Sequence, residues 1–306
     1  MSFEIKILGS NSASPVLNRH QSGQLITIEQ ILFLVDCGEA TQYQLLKYKA
    51  KINRIDYIFI SHLHGDHYLG LVGLISTMHL QGRSKDLHLF GPPGLDEIIT
   101  LQLKISETFL NYKIIFKELD TTTVSTILDL PQLTVETIPL KHRILCCGFL
   151  FREKPKKRRL RRDVVPESIS LAQISKLRNG EDVQDEHGKM IFKNEEFTLP
   201  PKKSRAYAYC SDTIYWEPNI PQVSGVDMLY HEATFLENMK ERAAVTFHAT
   251  AAQAGQFAAK ANVKQLIIGH FSSRYKDLNP HLDEAKSYFP NSALAIEGHT
   301  FNVADE

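Results

Sequence analysis

Ser61-His62-Leu63-His64-Gly65-Asp66-His67-Tyr68-Leu69-Gly70 places four metal-competent side chains within six positions. The run before it, Asp56-Tyr57-Ile58-Phe59-Ile60, is β-branched and aromatic and reads as a buried strand. The four ligands therefore sit at a strand's carboxyl end. Residues two apart in extended chain point the same way, so His62 and His64 can reach one ion, while the turn at Gly65 redirects Asp66 and His67 toward another. That geometry implies two metals. Imidazole with carboxylate and no thiolate suits Zn²⁺, with Mn²⁺ or Fe²⁺ as weaker alternatives. A single histidine here would read as a surface turn; four ligands at this spacing argue against it.

Working outward, the upstream chain alternates strands and turns. Phe3 to Leu8, Gln24 to Ile28 and Ile31 to Val35 read as strands, with a small-residue loop from Gly9 to His20 after the first and Glu29-Gln30 as a hairpin connection. Asp36 lies at a strand end, where it could orient a ligand histidine or cap the helix expected from Ala40 to Lys49. Downstream, Leu69 to Leu80 is apolar at helical spacing, Leu87 to Phe90 is a short strand, and Leu95 to Phe109 is a second amphipathic helix. Ile114 to Phe116, Val124 to Leu130, Leu133 to Ile138 and Cys147 to Phe151 add strands, and His142 follows one of them. Strands are also expected at Ala206 to Cys210, Val226 to Tyr230, Lys264 to Gly269 and Ala293 to Ile296, with helices at Ala251 to Ala261 and Asp283 to Phe289. Acidic or imidazole groups recur at their ends: Asp212, His231-Glu232 and His270. This is mixed α/β architecture with substantial antiparallel content. His79, His88, His281 and His299 have no chemical neighbours in sequence and read as structural.

Residues 152 to 205 change character. Arg152 to Arg162 holds eight basic residues and one acidic one, and little sheet-forming periodicity follows. Pro166 to Arg178 carries apolar residues at nearly helical spacing, so a small helical knob on basic stalks is expected. Taking 152–205 as an insertion leaves about 250 residues, 1–151 with 206–306, for one catalytic domain. Like charges at this density repel one another unless a polyanion compensates them.

The bulk numbers are those of an ordinary globular protein: 306 residues, 43% hydrophobic, 23% charged, formal net charge zero and pI about 7.2. No apolar run reaches the roughly 20 residues of a membrane helix, and the first residues lack a signal peptide's pattern. A cytoplasmic protein with no membrane partner is expected. The four cysteines, Cys37, Cys146, Cys147 and Cys210, form no Cys-x-x-Cys pair and should be buried and reduced.

Taken together, Ser-His-Leu-His-Gly-Asp-His, Lys-His142, Ser-Asp212-Thr, His-Glu-Ala-Thr at 231–234, His-Ala-Thr at 248–250 and Phe-Ser-Ser-Arg-Tyr after His270 resemble the metallo-β-lactamase superfamily. Within it they are similar to the ribonuclease Z family of tRNA 3′-processing endonucleases. The resemblance runs from Gly9 to Tyr275. It implies an αββα sandwich with two zinc ions per subunit at one edge of the sheets and an inserted flexible basic arm. By that resemblance His62, His64 and His142 hold one zinc, Asp66, His67 and His270 the other, and Asp212 bridges them. Cys210, two residues before Asp212, is expected to share its orientation along the strand.

The resemblance also implies the chemistry: metal-activated water cleaves a phosphodiester of precursor tRNA, releasing a 3′ trailer with a 5′-phosphate and leaving a tRNA 3′-hydroxyl. Asp66 accepts the water's proton, and His248, oriented by Glu232, protonates the leaving oxygen. The arm, with Lys156, Lys157, Arg158 and Arg159, grips tRNA in a homodimer, while Arg19 and Arg274 lie near the substrate's 3′ end. The chain departs from the family pattern in lacking the arm's glycine-proline turn, in having His20 where an asparagine is usual, and in having Ala249 for a serine. Small-molecule phosphodiesterase or arylsulfatase-like hydrolysis is the alternative reading, and a non-catalytic RNA-binding relative a third. The basic run and the Phe-Ser-Ser-Arg-Tyr segment argue against the former, the filled ligand set against the latter.

Overall fold

A computed structural model describes residues 2–304. The chain first lays down β1 (Phe3–Gly9), β2 (Gly23–Ile28), β3 (Ile31–Cys37), α1 (Thr41–Lys47) and β4 (Ile55–Phe59). The metal motif then forms a short first turn, α2 (Gly65–Tyr68), ahead of α3 (Leu71–Leu80), β5 (Leu87–Gly91), α4 (Leu95–Ile105) and β6 (Ile114–Glu118). The second half opens with β7 (Thr126–Asp129), β8 (Leu133–Pro139) and β9 (Cys147–Glu153). The basic segment contributes β10 (Arg159–Leu160), α5 (Leu171–Asn179), β11 (Val183–Gln184), β12 (Met190–Phe192), α6 (Asn194–Phe197) and β13 (Thr198–Leu199). The chain closes with β14 (Ala206–Cys210), α7 (Ile220–Val223), β15 (Met228–Glu232), α8 (Lys240–Thr246), α9 (Ala251–Lys260), β16 (Gln265–Gly269), α10 (Asn279–Tyr288), β17 (Ser292–Leu294) and β18 (Thr300–Asn302).

Two seven-stranded sheets result, ordered β18-β1-β2-β3-β4-β5-β6 and β17-β16-β15-β14-β9-β8-β7. Each is antiparallel on one side and parallel on the other, because hairpins join β1 to β3 while helices carry the crossovers from β3 to β6 and from β14 to β17. Strand alternation sorts the side chains into three apolar layers. Phe33, Phe59, Phe149, Phe151, Tyr207, Tyr209 and Tyr230 fill the space between the sheets. Leu45, Leu74, Ile75 and Met78 pack under α1 and α3, and Ala254, Phe257 and Ala258 under α9. The order is helix, sheet, sheet, helix, an αββα sandwich.

The second sheet closes across the basic segment: β9 pairs directly with β14, Arg152 opposite Ala206, so residues 154–205 leave one strand and return at its neighbour. The helix there starts at Leu171, later than read from sequence, because Ser170 accepts from the Gln173 amide in a capping box. Two short ladders, β10 with β13 and β11 with β12, stand where little sheet pattern was legible. Elsewhere α4 stops at Ile105, leaving Phe109 exposed, and α10 begins at Asn279 with Pro280 in its first turn.

Three local expectations change. Asp36 does not cap α1, whose N-cap position is Ala40 and carries no side-chain bond. Cys210 faces the α9 layer, with Ala206 and Ala208, whereas Asp212 lies beyond the strand end, so the two do not share an orientation. β15 runs on to Glu232, which puts His231 on the helix side against Phe257 and Glu232 on the opposite side. All four cysteines are buried and unpaired.

Candidate metal centre

The strand ends converge on one edge of the space between the sheets. At β3 the pairing steps from Val35 opposite Gln24 to Cys37 opposite Gly23, so Asp36 is the extra residue of a β-bulge, with φ of 56°. The bulge turns its carboxylate inward. One oxygen accepts from the Ser61 amide at 2.8 Å; the other accepts from the Ser61 and Tyr209 hydroxyls at 3.0 and 2.7 Å and from His67 Nδ1 at 2.8 Å. Opposite, Gly70 packs against the end of β3 so closely that a Cβ there would stand 2.1 Å from the Gly38 carbonyl oxygen. Only glycine lets the motif's turn seat this deeply.

Around that anchor the imidazoles point inward. His62 Nε2 and His142 Nε2 each lie 3.1 Å from His64 Nδ1, and His67 Nε2 lies 3.4 Å from His270 Nε2. The outward nitrogens are occupied: His142 Nδ1 donates to the Phe247 carbonyl at 3.0 Å, and His270 Nδ1 to the Thr234 hydroxyl at 2.9 Å. With His67 Nδ1 donating to Asp36, these Nε2 atoms present lone pairs to a common space. Asp212 stands between the two groups. Its Oδ1 is 3.2 Å from both His67 Nε2 and His270 Nε2, while its Oδ2 is 3.5 Å from His62 Nε2 and 3.7 Å from His142 Nε2. Asp66 Oδ2 completes the second group, 3.3 Å from His270 Nε2, and accepts from the Ala13 amide at 2.7 Å.

These residues form two sets whose donor atoms lie within 4.8 Å of one another: His62, His64, His142 and Asp212, and Asp66, His67 and His270. Asp212, His248 and His270 make a third, overlapping set. The donor chemistry fits divalent metal. Asp36, Asp66, Asp212 and Glu232 are all buried, with no lysine or arginine among their partners in the described residues, so the enclosed negative charge calls for a cation. His67 registers the same imbalance: burial lowers its pKa, yet Asp212, Asp66 and Asp36 push it well above the ordinary range. His62, facing other imidazoles, is instead held well below, first by burial and then by His67.

Glu232 organises the remaining wall. Its Oε1 accepts from His248 Nδ1 and the Thr213 amide, both at 2.8 Å, and its Oε2 from the Thr234 hydroxyl at 2.6 Å and the Ala249 amide at 3.0 Å. Burial lowers the His248 pKa, but the Glu232 carboxylate more than offsets this and raises it to about 9. A cavity of about 560 Å³ opens over the cluster, lined by His248, Ser272, Arg274 and two arginines that sequence reasoning missed, Arg143 and Arg242. Arg143 adjoins His142 and could have been read from that neighbour; Arg242 lies on α8, which no pattern announced.

The other anticipated residues lie apart. Arg19 bonds the Tyr275 carbonyl at 2.7 Å and does not line the cavity. Lys156, Lys157 and Arg159 line a separate cavity with Arg178 and Lys202 at the root of the basic segment, while Arg158 Nε donates to Thr198 at 2.7 Å. No helix among the described residues is long and apolar enough to cross a membrane.

Comparison with known proteins places this geometry. A family model described as Anti-Pycsar protein Apyc1 matches residues 3–156, which hold the first sheet without β18 and part of the second. Ribonuclease Z of Cytophaga hutchinsonii is 53% identical over 305 residues, covering all of this chain and 97% of that protein. Ribonuclease Z of Bacteroides fragilis is 47% identical over 296 residues, covering 96% and 97%. Among solved structures, human tRNase Z, short form, superposes with a TM-score of 0.72 at 24% identity, covering 98% of this chain and 99% of that one. The metallo-β-lactamase fold protein YhfI of Bacillus subtilis gives 0.68 at 19%, covering 99% and 100%. The matches to these curated relatives span nearly the whole of both chains, and the chain belongs to the ribonuclease Z family, with a metallo-β-lactamase fold.

Proposed function

We propose that this protein is a two-zinc endoribonuclease that removes the 3′ trailer from precursor tRNA. The observation that carries the reading is the division of the Asp212 carboxylate, one oxygen toward His67 and His270 and the other toward His62 and His142. His62, His64 and His142 would hold one ion and Asp66, His67 and His270 the other, with Asp212 shared. When bound, such a pair supplies acidified water and positive charge against the phosphate oxygens.

The protein's own groups then move the protons. The Asp66 carboxylate, held in place by the Ala13 amide, takes a proton from the attacking water as its oxygen bonds to phosphorus. The bond from phosphorus to the ribose 3′-oxygen breaks in line. His248, kept protonated by Glu232, donates its Nε2 proton to that leaving oxygen. The products are a tRNA 3′-hydroxyl and a trailer with a 5′-phosphate. Arg143, Arg242 and Arg274, lining the same cavity, supply charge for a phosphodiester backbone. Residues 152–205, with Lys157 and Arg159 exposed, extend that reach to the body of the tRNA, in a homodimer whose segment serves the partner's site. Small-molecule hydrolysis is less well supported, since the curated relatives that match from end to end are ribonucleases Z.

The test is cleavage of 5′-labelled precursor tRNA bearing a 3′ trailer, by protein whose zinc content has been measured, alongside a variant lacking 154–205 and small phosphodiesters. A single cut near the trailer junction, weakened by the deletion, is expected. Fast turnover of the small esters with intact precursor tRNA, in protein holding two zinc ions, would overturn the reading.

A further inference from the structure

A second cavity, of about 710 Å³, adjoins the metal cluster and is lined by Thr121, Thr122, residues 139–146 and Trp216. His142 and Arg143 line both cavities, so the two lie side by side across these residues. Trp216 is the protein's single tryptophan and remains 36% exposed. This indole ring, partly open beside the centre, presents an apolar face with a polar N–H at its edge.

The backbone holds this ring firmly against the loop that carries His142. The Ile214 amide donates to the Lys141 carbonyl at 3.1 Å, and the Lys141 amide donates to Thr213 Oγ1 at 3.1 Å. On the far side of Trp216, Asn219 Nδ2 donates to the Pro139 carbonyl at 2.6 Å. The loop itself is closed by the Leu140 amide bonding the Cys146 carbonyl at 3.2 Å. One short loop therefore sends His142 into the cluster, Arg143 to its rim, and the Lys141 ammonium over the Trp216 ring, 5.7 Å from its centroid. The acidic neighbour Glu217 is engaged by Lys260 and Tyr215, so it does not offset the two cations.

Resting on the tRNA reading above, we propose that this groove is a stacking subsite for one unpaired nucleotide flanking the scissile phosphodiester. The base lies on the Trp216 ring, and Lys141, exposed on its flexible stem, moves to a backbone phosphate together with Arg143. Stacking on an aromatic platform tolerates any base, because every base has a π-face, while adjacent cations hold the backbone. A base inside a duplex is covered on both faces by its stacked neighbours, which makes the groove favour single strands next to the cut.

The lone tryptophan makes the test direct. Intrinsic fluorescence is titrated, without added metal, with a short unpaired RNA of trailer sequence, a tRNA ending at its unpaired 3′ nucleotide, and a blunt RNA hairpin. Quenching by either unpaired RNA and none by the hairpin is expected; the trailer oligomer acting alone assigns the subsite downstream of the cut, the tRNA alone upstream. In cleavage of precursor tRNA, Trp216→Ala should raise KM roughly 5- to 100-fold with kcat little changed, and Trp216→Phe should recover most of the loss. Unchanged fluorescence with all three RNAs, in a protein that cuts precursor tRNA with Trp216→Ala kinetics equal to the parent, would overturn the subsite. Quenching by short RNA in a protein that cuts no precursor tRNA would instead overturn the tRNA reading and leave the groove standing as a single-strand site.

Discussion

The Asp36 carboxylate sits 2.8 Å behind His67 Nδ1, on the side of the ring away from the cluster, and reaches that place only because β3 bulges there. A carboxylate in this position fixes the imidazole's tautomer and orientation and raises its basicity as a ligand. Asp36→Asn keeps the shape and removes the charge. The expected outcome is metal affinity weakened about 10- to 100-fold in a chelator competition titration, with the fold retained by circular dichroism. Equal affinity in the variant and the parent would mean that Asp36 serves only to satisfy Ser61 and Tyr209.

The pairing of Glu232 with His248 yields a pH prediction whose sign can be worked out. Glu232 raises the His248 pKa above its ordinary value, to about 9, so the ring is protonated at neutral pH and acid-dependent activity is lost as pH rises through the folded value. Glu232→Gln removes that charge, and the alkaline limb of the kcat profile should move to lower pH. His248→Ala should lower kcat by about 10²- to 10⁴-fold with bound metal unchanged. A His248→Ala protein as fast as the parent would remove the ring from the reaction.

What the sequence carried about this centre was its donors; what it withheld was the groups holding them. His62, His64, Asp66 and His67 were legible because strand alternation and one glycine turn fix their directions locally. His142, Asp212 and His270 were placed only through family resemblance, since nothing near them in sequence says which loop faces which. Asp36 stayed ambiguous between a cap and an orienting carboxylate, because a bulge depends on the partner strand's register. The Ala13 amide on Asp66 and the Thr234 hydroxyl between Glu232 and His270 are backbone and hydroxyl contacts that no residue pattern encodes. In the fold, long strands and helices were readable from periodicity, whereas β10 to β13, two or three residues each, are too short to have any.

At the root of the basic segment, Glu153 and Arg205 tie the departing strand to the returning one. Arg205 donates to the two carboxylate oxygens at 2.6 and 2.9 Å; the Glu153 amide donates to the Arg205 carbonyl and the Arg205 amide to Glu153 Oε2, both at 2.9 Å. Burial alone would raise the Glu153 pKa, but Arg205 and then Lys156 hold it below the usual carboxylate range. A depressed folded pKa contributes stability that is present above the unfolded value, about 4.3, and is lost as pH falls through the folded one. Glu153→Gln should therefore flatten the acid side of the stability profile and cost about 3–5 kcal/mol near neutrality, because Arg205 stays buried against an uncharged amide. Urea unfolding from pH 3 to 7 checks both. A parallel loss at every pH would assign the pair's effect to packing alone.

The basic run divides by what each side chain already touches. Arg158 donates to Thr198 and Lys156 pairs with Glu153, so those two cations are engaged within the segment, while Lys157 is exposed and Arg159, also exposed, makes one long bond from Nε to the Pro200 carbonyl at 3.3 Å. Each phosphate neutralised releases counterions and adds about −0.7 to −0.9 to the slope of log K against log salt. Replacing Lys157 and Arg159 by alanine should flatten the salt dependence of precursor tRNA binding by about one unit each, without altering the melting temperature. Arg158→Ala should do the reverse, lowering the melting temperature while leaving the salt slope nearly intact, since its guanidinium supports the segment's own fold. If all three substitutions changed the slope equally, the run would act as a diffuse charge, with no distinction between the residues that build the segment and those that meet the RNA.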